Sequence, residues 1–332
     1  MFEEYTLAII FVSLMGFSIL LYAVLDGFDL GVGILLPLDQ TDNADTMIAS
    51  IGPFWDANET WLVLAIGLLL IAFPAAHSYI FKELYLPTAI LLISLVLRGV
   101  AFDFRAKAAF SHKPTWNRVF KGGSLVASLS QGYMLGMYVM GFEATLAAYS
   151  FSLLSAFGVA AAYSYIGACW LIMKTEGELQ IQAVAWARKT ALVCFIGVIT
   201  VSLVNPLINP NVYDKWFSSP NALMILPLPF ICFALFIFSF IQLKQLPKVN
   251  DKGCWRPFVA AVAIFTLCFF GLAFSFFPYI VPNKLTIWET ASAPESLNFV
   301  LWGTIIVVPV IFSYTAFSYR VFWGKVRELR YH

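Results

Sequence analysis

Long apolar runs recur along almost the whole of this chain. A helix needs roughly 20 apolar residues to cross a hydrocarbon core about 30 Å thick. We therefore predict an all-α polytopic membrane protein, a single integral membrane domain over residues 1–332 with nine transmembrane helices. The first helix can continue to Leu36, since Pro37 is its first clear stop signal. The predicted spans lie at about 6–25, 58–73, 84–102, 123–141, 151–173, 190–208, 222–243, 257–277 and 297–319.

Few charges are available to coat a soluble surface. Charged residues make up 12% of the 332 residues, about half of the usual share, whereas apolar residues reach 61%. The formal net charge is only +1. This composition excludes a cytosolic enzyme, a disordered regulator and a basic nucleic-acid-binding protein. We expect membrane lipid, and no nucleic acid, around the chain.

Lys and Arg residues are distributed unequally between the two sets of loops. If the N-terminus lies outside, every basic residue falls in or beside an inner segment except Lys82, Lys215 and Lys284. Basic residues collect in the inner loops of membrane proteins. The distribution therefore predicts an outer N-terminus and an inner C-terminus.

Acidic residues near the inner ends of the spans are informative, because a carboxylate is expensive to bury in a membrane. Asp26 and Asp29 are three residues apart, so a helix places them on one face. The helix dipole disfavours acids at this end of the first span, and other groups must hold them there. Arg98, Asp103 and Arg105 stand at the corresponding depth of the third span. We predict that they form ion pairs with these acids or orient them.

Asp56 and Glu59 form a second acidic pair, at the inner start of the second span. Acids at a helix N-terminus can cap free backbone amides, and this interpretation stays open for Asp56 and, less strongly, for Glu59. Together, the two pairs make a chain of titratable groups at the inner surface, as proton uptake requires. A carrier would instead place acids near the midplane on interrupted helices, and the glycines at 27, 31 and 33 leave that alternative open.

Histidine and cysteine give no sign of a metal site. His77, His112 and His332 lie in loops or in the tail, so no two of them can clamp a haem between helices. The five cysteines are widely spaced, without a CxxC or CxxCH motif. We expect no metal and no cofactor bound by this chain.

Four segments resemble one protein family when they are taken together. They are DGFDLGVG at 26–33, IGPFWDANETWL at 51–62, RGVAFDFRAK at 98–107 and LTIWET at 285–290. They are similar to subunit II of the cytochrome bd quinol oxidases. Ala57 departs from the glycine that the family commonly has between the motif's Asp and Asn. Between about 120 and 280 the likeness rests on hydropathy and span count alone.

This resemblance implies two four-helix bundles plus one peripheral helix, in the cytoplasmic (inner) membrane of a bacterium or archaeon. It implies a partner, subunit I, that holds two b haems and haem d, oxidises quinol and reduces oxygen to water. Subunit II would be haem-free and not catalytic alone, with small single-span subunits as further partners. The matching residues would be Asp26, Asp29 and Asp56 on a proton path and Trp61 beside an oxygen route. Arg98 and Asp103 fall in the third motif.

Two functions are therefore compatible with the sequence. The first is an accessory subunit of a quinol oxidase, and the second is a stand-alone ion-coupled carrier. The motifs and the clustering of acids at the inner surface favour the oxidase subunit.

Overall fold

The computed structural model describes residues 4–38, 41–107, 112–218, 221–248 and 251–326, and it is almost entirely helical. Within these ranges it has fourteen helices. They are α1 (Glu4–Leu35), α2 (Thr41–Ile51), α3 (Trp55–Ala72), α4 (Pro74–Glu83), α5 (Tyr85–Lys107), α6 (Lys113–Val139), α7 (Leu146–Lys174), α8 (Gly177–Ile208), α9 (Pro210–Phe217), α10 (Asn221–Ile225), α11 (Pro227–Gln245), α12 (Arg256–Phe276), α13 (Ile287–Thr290) and α14 (Pro294–Val321).

A small hairpin precedes α13. It lies at the opposite end of the molecule from the acidic motifs. Strand β1 (Tyr279–Val281) pairs antiparallel with β2 (Leu285–Thr286). Thr286 then caps α13: its hydroxyl accepts from the amide of Glu289, and the Glu289 carboxylate accepts from the amide of Thr286. The LTIWET segment is therefore strand β2 followed by a short helix with a capping box.

Eight helices of the described residues are long and apolar enough to cross a membrane: α1, α3, α5, α7, α8, α11, α12 and α14. The predicted span at 123–141 falls in α6, which begins ten residues earlier than predicted and is not among these eight. Its buried positions include Ser124, Ser128 and Gly132, which face neighbouring helices rather than lipid. At 1.5 Å per residue, its 27 residues are about 40 Å long. The nine-span count stays a prediction.

Several boundaries differ from those expected from hydropathy. The first helix continues to Leu35, as the position of Pro37 suggested, and α3 begins three residues before its predicted span. Segments treated as loops contain the helices α2, α4 and α9. These short helices carry too few apolar residues to register as spans, so hydropathy alone could not reveal them.

Helix α7 lies at the centre of the packing, and α14 at the edge. Two thirds of the apolar window of α7 is buried (67%), against 11% for α14. Helix α7 contacts α1, α6, α8 and α12, whereas α14 contacts mainly α3 and α1. Large apolar side chains on the outer faces of α8, α11 and α14 are exposed, as expected for helices surrounded by lipid.

Candidate functional site

Glycines of the DGFDLGVG segment let α1 approach the backbone of α7. A Cβ atom at Gly31 would lie 1.8 Å from the carbonyl oxygen of Tyr163, and one at Gly167 would lie 2.6 Å from the backbone of Gly31. At Gly27, a Cβ would lie 2.8 Å from the Tyr163 ring. Small residues permit such contacts between helices in a membrane. This face of α1 therefore fixes the direction in which its two aspartates point.

Arg98 joins two acids from different helices. Its Nη1 lies 2.8 Å from Asp26 Oδ1 on α1 and 2.8 Å from Glu59 Oε1 on α3. The side chains of Arg98 and Asp26 are 1% and 0% exposed, and that of Glu59 is 26% exposed. A guanidinium group keeps its charge when buried and can serve two carboxylates at once. The structure thus places one cation between the acids of both predicted pairs.

Asp29 is held by an amide rather than by a cation. The Asn58 Nδ2 group donates to Asp29 Oδ2 at 2.7 Å, and the Tyr319 hydroxyl donates to Asn58 Oδ1 at 3.1 Å. Asp29 is fully buried. Asn58 and Tyr319 were not singled out in the sequence. Asn58 carried a usable signal, a polar residue beside Glu59 inside an apolar run, whereas Tyr319 is 261 residues away and carried none.

Asp103 and Arg105 lie away from the aspartates that we expected them to hold. Asp103 is exposed, because five residues turn a helix by about 500° and carry it to another face than Arg98. Arg105 lies two turns beyond Arg98, about 10 Å along α5. It bonds to Asn117 at 2.6 Å and also pairs with Asp45. The prediction that Asp103 and Arg105 hold the aspartates of α1 is therefore wrong.

Asp45, on α2, is the centre of a second cluster of charged residues. This cluster lies near the end of α5 and the start of α6. It pairs with Arg105, and it accepts from Lys113 Nζ at 2.9 Å. Partial burial by itself would raise the pKa of Asp45, but the bonds from Lys113 and Arg105 outweigh that effect and hold the pKa below its ordinary value. The stabilisation from the contacts with Lys113 and Arg105 is complete above the ordinary pKa of an aspartate. It is lost only when the pH falls through the lowered pKa of Asp45.

Asp56 does not cap its helix in the way that the sequence allowed. The residue preceding α3 is Phe54, and no side chain accepts from the first amides of the helix there. Asp56 lies in the first turn and is exposed. Its carboxylate favours the positive end of the helix dipole without a capping hydrogen bond.

A second polar chain begins one turn from Asp26, at Tyr22. Gln131 Nε2 donates to the Tyr22 hydroxyl at 2.7 Å, and the Tyr163 hydroxyl donates to Gln131 Oε1 at 2.7 Å. These three residues join α1, α6 and α7. None of the three carries a signal in the sequence, since each looks like an ordinary amphipathic residue in its own span.

Trp61 is fully buried and makes an edge-to-face contact with Phe17, with ring centroids 5.9 Å apart. Its indole nitrogen has no hydrogen-bond partner among the described protein groups. The residue thus lies in an apolar environment on the same helix as Glu59.

Neither histidine of the described residues lies within a helix that is long and apolar enough to cross the membrane. His77 stacks on Phe81, with centroids 4.5 Å apart, and His112 is exposed. His332 lies outside the described residues. Within the described ranges, no three His, Cys, Asp or Glu residues are grouped in a way that could hold a metal ion.

One protein family matches the sequence over almost its whole length. Residues 7–322 fit the family described as cytochrome bd terminal oxidase subunit II. The chain belongs to this family. Cytochrome bd-I ubiquinol oxidase subunit 2 of Escherichia coli K12 is 28% identical over 374 residues, covering 99% of this chain and 97% of that protein. Cytochrome bd ubiquinol oxidase subunit 2 of Bacillus subtilis 168 is 26% identical and covers 91% of each chain.

The fold agrees with this assignment. The structure of bd oxidase from Geobacillus thermodenitrificans matches with a TM-score of 0.78 at 18% identity, over 96% of this chain and 99% of that chain. This subunit is thus a multi-pass membrane protein of an oxidoreductase complex that also contains a subunit I. The carrier alternative is not favoured.

Proposed function

We propose that this subunit takes protons from the inner side of the membrane and passes them toward the oxygen-reducing site of the haem-bearing subunit I. The observation that carries the proposal is the junction in which Arg98 contacts Asp26 and Glu59, with Asp29 bound to Asn58 one helical turn from Asp26. The two b haems, haem d and the quinol belong in this proposal to subunit I, and subunit II binds no haem.

The charges of the junction suit proton transfer. Two carboxyl groups contact one cation, and a third, that of Asp29, lies one helical turn from Asp26 and is held by Asn58; Asp26 and Asp29 are both fully buried. Uncompensated charge is expensive in a low-dielectric interior, so carboxyl groups in excess of the cations favour the neutral form and bind protons. Arg98 limits this tendency by stabilising the carboxylates that it touches. The junction can therefore both hold and release a proton.

Exposure falls in steps along the proposed path. Asp56 is exposed, Glu59 is 26% exposed at its side chain, and Asp26 and Asp29 are completely buried. Asp56 and Glu59 are one helical turn apart on α3. This order gives an entry at Asp56, an intermediate at Glu59 and a buried end at the two aspartates of α1.

We expect Asp56→Asn to slow quinol oxidase turnover by about tenfold, because the amide keeps the shape of the side chain but carries no titrating proton. Haem spectra and complex yield should stay normal, and the pH dependence of turnover should change. Asp103→Asn is the matched control, an exposed aspartate on α5 outside the junction. Normal turnover of Asp56→Asn at every pH would remove Asp56 from the path, and joint loss of haem and complex would make it structural.

The arrangement in the membrane is part of the same proposal. Helix α6 serves as the ninth span, and the asymmetry of Lys and Arg supports an outer N-terminus in the cytoplasmic membrane. Close packing of α1 on α7 supports a role in assembly, since subunit I needs a rigid surface to bind. The two-bundle arrangement, small extra subunits and a quinone contact stay predictions.

Trp61 is proposed to line an apolar route for oxygen, on the strength of its complete burial beside Phe17. Truncation to alanine would widen the space and change the access of an apolar gas. We expect Trp61→Ala to alter the apparent oxygen affinity, measured by oxygen consumption at low oxygen, with haem content unchanged. An unaltered affinity would leave Trp61 with a packing role only.

A further inference from the structure

A cavity of about 650 Å³ lies where the ends of α2, α7 and α14 meet. It is separate from the Arg98 junction, and none of the residues discussed for proton transfer lines it. Its size is within the range of small-molecule sites. Apolar and charged side chains share its walls, among them Ser50, Phe54, Lys174, Glu176, Trp323 and Lys325.

Lys174 is the unusual residue of this cavity. It is only 5% exposed, and its ammonium group lies 5.4 Å from the centre of the Phe54 ring and 4.9 Å from that of Trp170. It donates to the carbonyl oxygen of Phe322 at 2.7 Å. No described carboxylate lies within ion-pair distance of it. Buried charges are normally paired, so this ammonium group is suited to an anion supplied from elsewhere.

The other charged groups of the cavity leave that position open. Lys325 pairs with Asp251 at 3.1 Å and also donates to the carbonyl oxygen of Thr175 at 2.7 Å. Glu176 is exposed at the rim. Among the described residues, the buried part of the cavity thus presents one cation without a carboxylate partner, while its acid faces solvent.

The N-terminus of α3 lies beside the cavity, but the carboxylate of Asp56 in its first turn already offsets the positive charge of its amides. Helix α3 begins at Trp55, directly after Pro53 and Phe54, which line the cavity. The first amides of a helix lack intrahelical acceptors and carry a partial positive charge. The buried Lys174, rather than this helix end, therefore favours an anionic group such as a phosphate at the buried end of the cavity.

The walls indicate that the anion carries an apolar tail. Trp323 is 75% exposed and Val321 is 54% exposed at the end of α14, and Phe317 one turn earlier is 64% exposed. These side chains continue from the cavity along α14, the least buried of the membrane-length helices in the described part of the chain. Basic pockets between transmembrane helices recognise phospholipid head groups in this way. We propose that the cavity binds a glycerophospholipid, with its phosphodiester on Lys174 and its acyl chains along α14.

The test is the lipid content of the intact oxidase complex, purified in mild detergent and measured by native mass spectrometry with phosphorus analysis. Wild type should retain one phospholipid per complex that Lys174→Gln loses, with affinity for added phosphatidylglycerol reduced roughly tenfold or more, as expected for one charge-assisted hydrogen bond. Lys174→Arg and the exposed control Lys252→Gln should retain it. Equal lipid content in wild type and Lys174→Gln would overturn the proposal.

Three further experiments back up this test and separate the possible occupants. If Lys174→Gln fails to assemble, Ala49→Phe tests the same site by filling the cavity without removing the charge, and retention of the lipid there would overturn the proposal. In delipidated complex, phosphatidylglycerol should raise the unfolding temperature more than inorganic phosphate does, and equal effects would indicate a free-anion site.

Removal of residues 327–332 should leave the lipid count unchanged. A lipid that binds only after this removal would assign the cavity to the chain's own C-terminus.

Discussion

Gly31→Leu is expected to abolish stable association of the haem-bearing subunit with this one, although this chain binds no haem in our proposal. A Cβ atom at Gly31 would stand 1.8 Å from the carbonyl oxygen of Tyr163, a backbone atom that cannot rotate away. Helices α1 and α7 would have to separate, and overpacking of this kind costs about 3 kcal/mol, the upper end of the usual range. Such a shift would move Asp26 and Asp29 with α1.

The haem content of the purified complex measures this effect. Gly67→Leu provides the control, because a Cβ atom at Gly67 on α3 would meet no atom of this chain within 4 Å. The control should retain haem and yield, whereas Gly31→Leu should lose both. Full haem retention with normal yield in Gly31→Leu would show that the contact between α1 and α7 is not needed for assembly.

Removal of the guanidinium is expected to have the second large effect. Arg98→Gln leaves Asp26 and Asp29 buried with no cation nearby, and loss of one partner of a buried ion pair typically costs about 3–5 kcal/mol. We expect a marked fall in the thermal unfolding temperature of the complex and in its yield. Arg98→Lys should rescue only in part, since a single ammonium group does not reproduce the forked geometry of a guanidinium.

A second substitution distinguishes lost charge balance from lost packing. Adding Asp26→Asn to Arg98→Gln removes the carboxylate left without a partner, so the double variant should be more stable than Arg98→Gln alone. This coupling is the signature of two groups in direct contact. If the double variant is as unstable as the sum of the single ones, Arg98 acts through packing and not through its charge.

Part of this site followed from local patterns in the sequence. The spacing of Asp26 and Asp29 fixes their common face on a helix, and the depth of Arg98 in its span makes it a candidate partner. Both features depend only on helix geometry and on where an apolar run begins and ends. Arg98 does contact Asp26, at 2.8 Å.

Other parts of the site could not be predicted, because they depend on contacts between segments that are distant in the sequence. Arg105 was expected near the same aspartates, but it pairs with Asp45 on α2, a helix that hydropathy did not indicate. Tyr319 reaches Asn58 from the far end of the chain. The full length of α6 also depends on such contacts. Its small and polar residues face other helices, so a hydropathy scan does not detect all of the helix. No local pattern specifies which neighbour such residues meet.

Proton uptake from the inner side by the Asp29→Asn variant tests the central claim most directly. Asparagine can still accept the hydrogen bond that Asn58 donates at 2.7 Å, so the local structure should be kept while the exchangeable proton of the carboxyl group is lost. The measurement uses a pH-sensitive dye inside proteoliposomes that contain the whole complex, during its reaction with oxygen. We predict uptake slowed by at least about tenfold with normal haem spectra. Uptake at the wild-type rate, with intact haem spectra, would contradict a proton path through this junction.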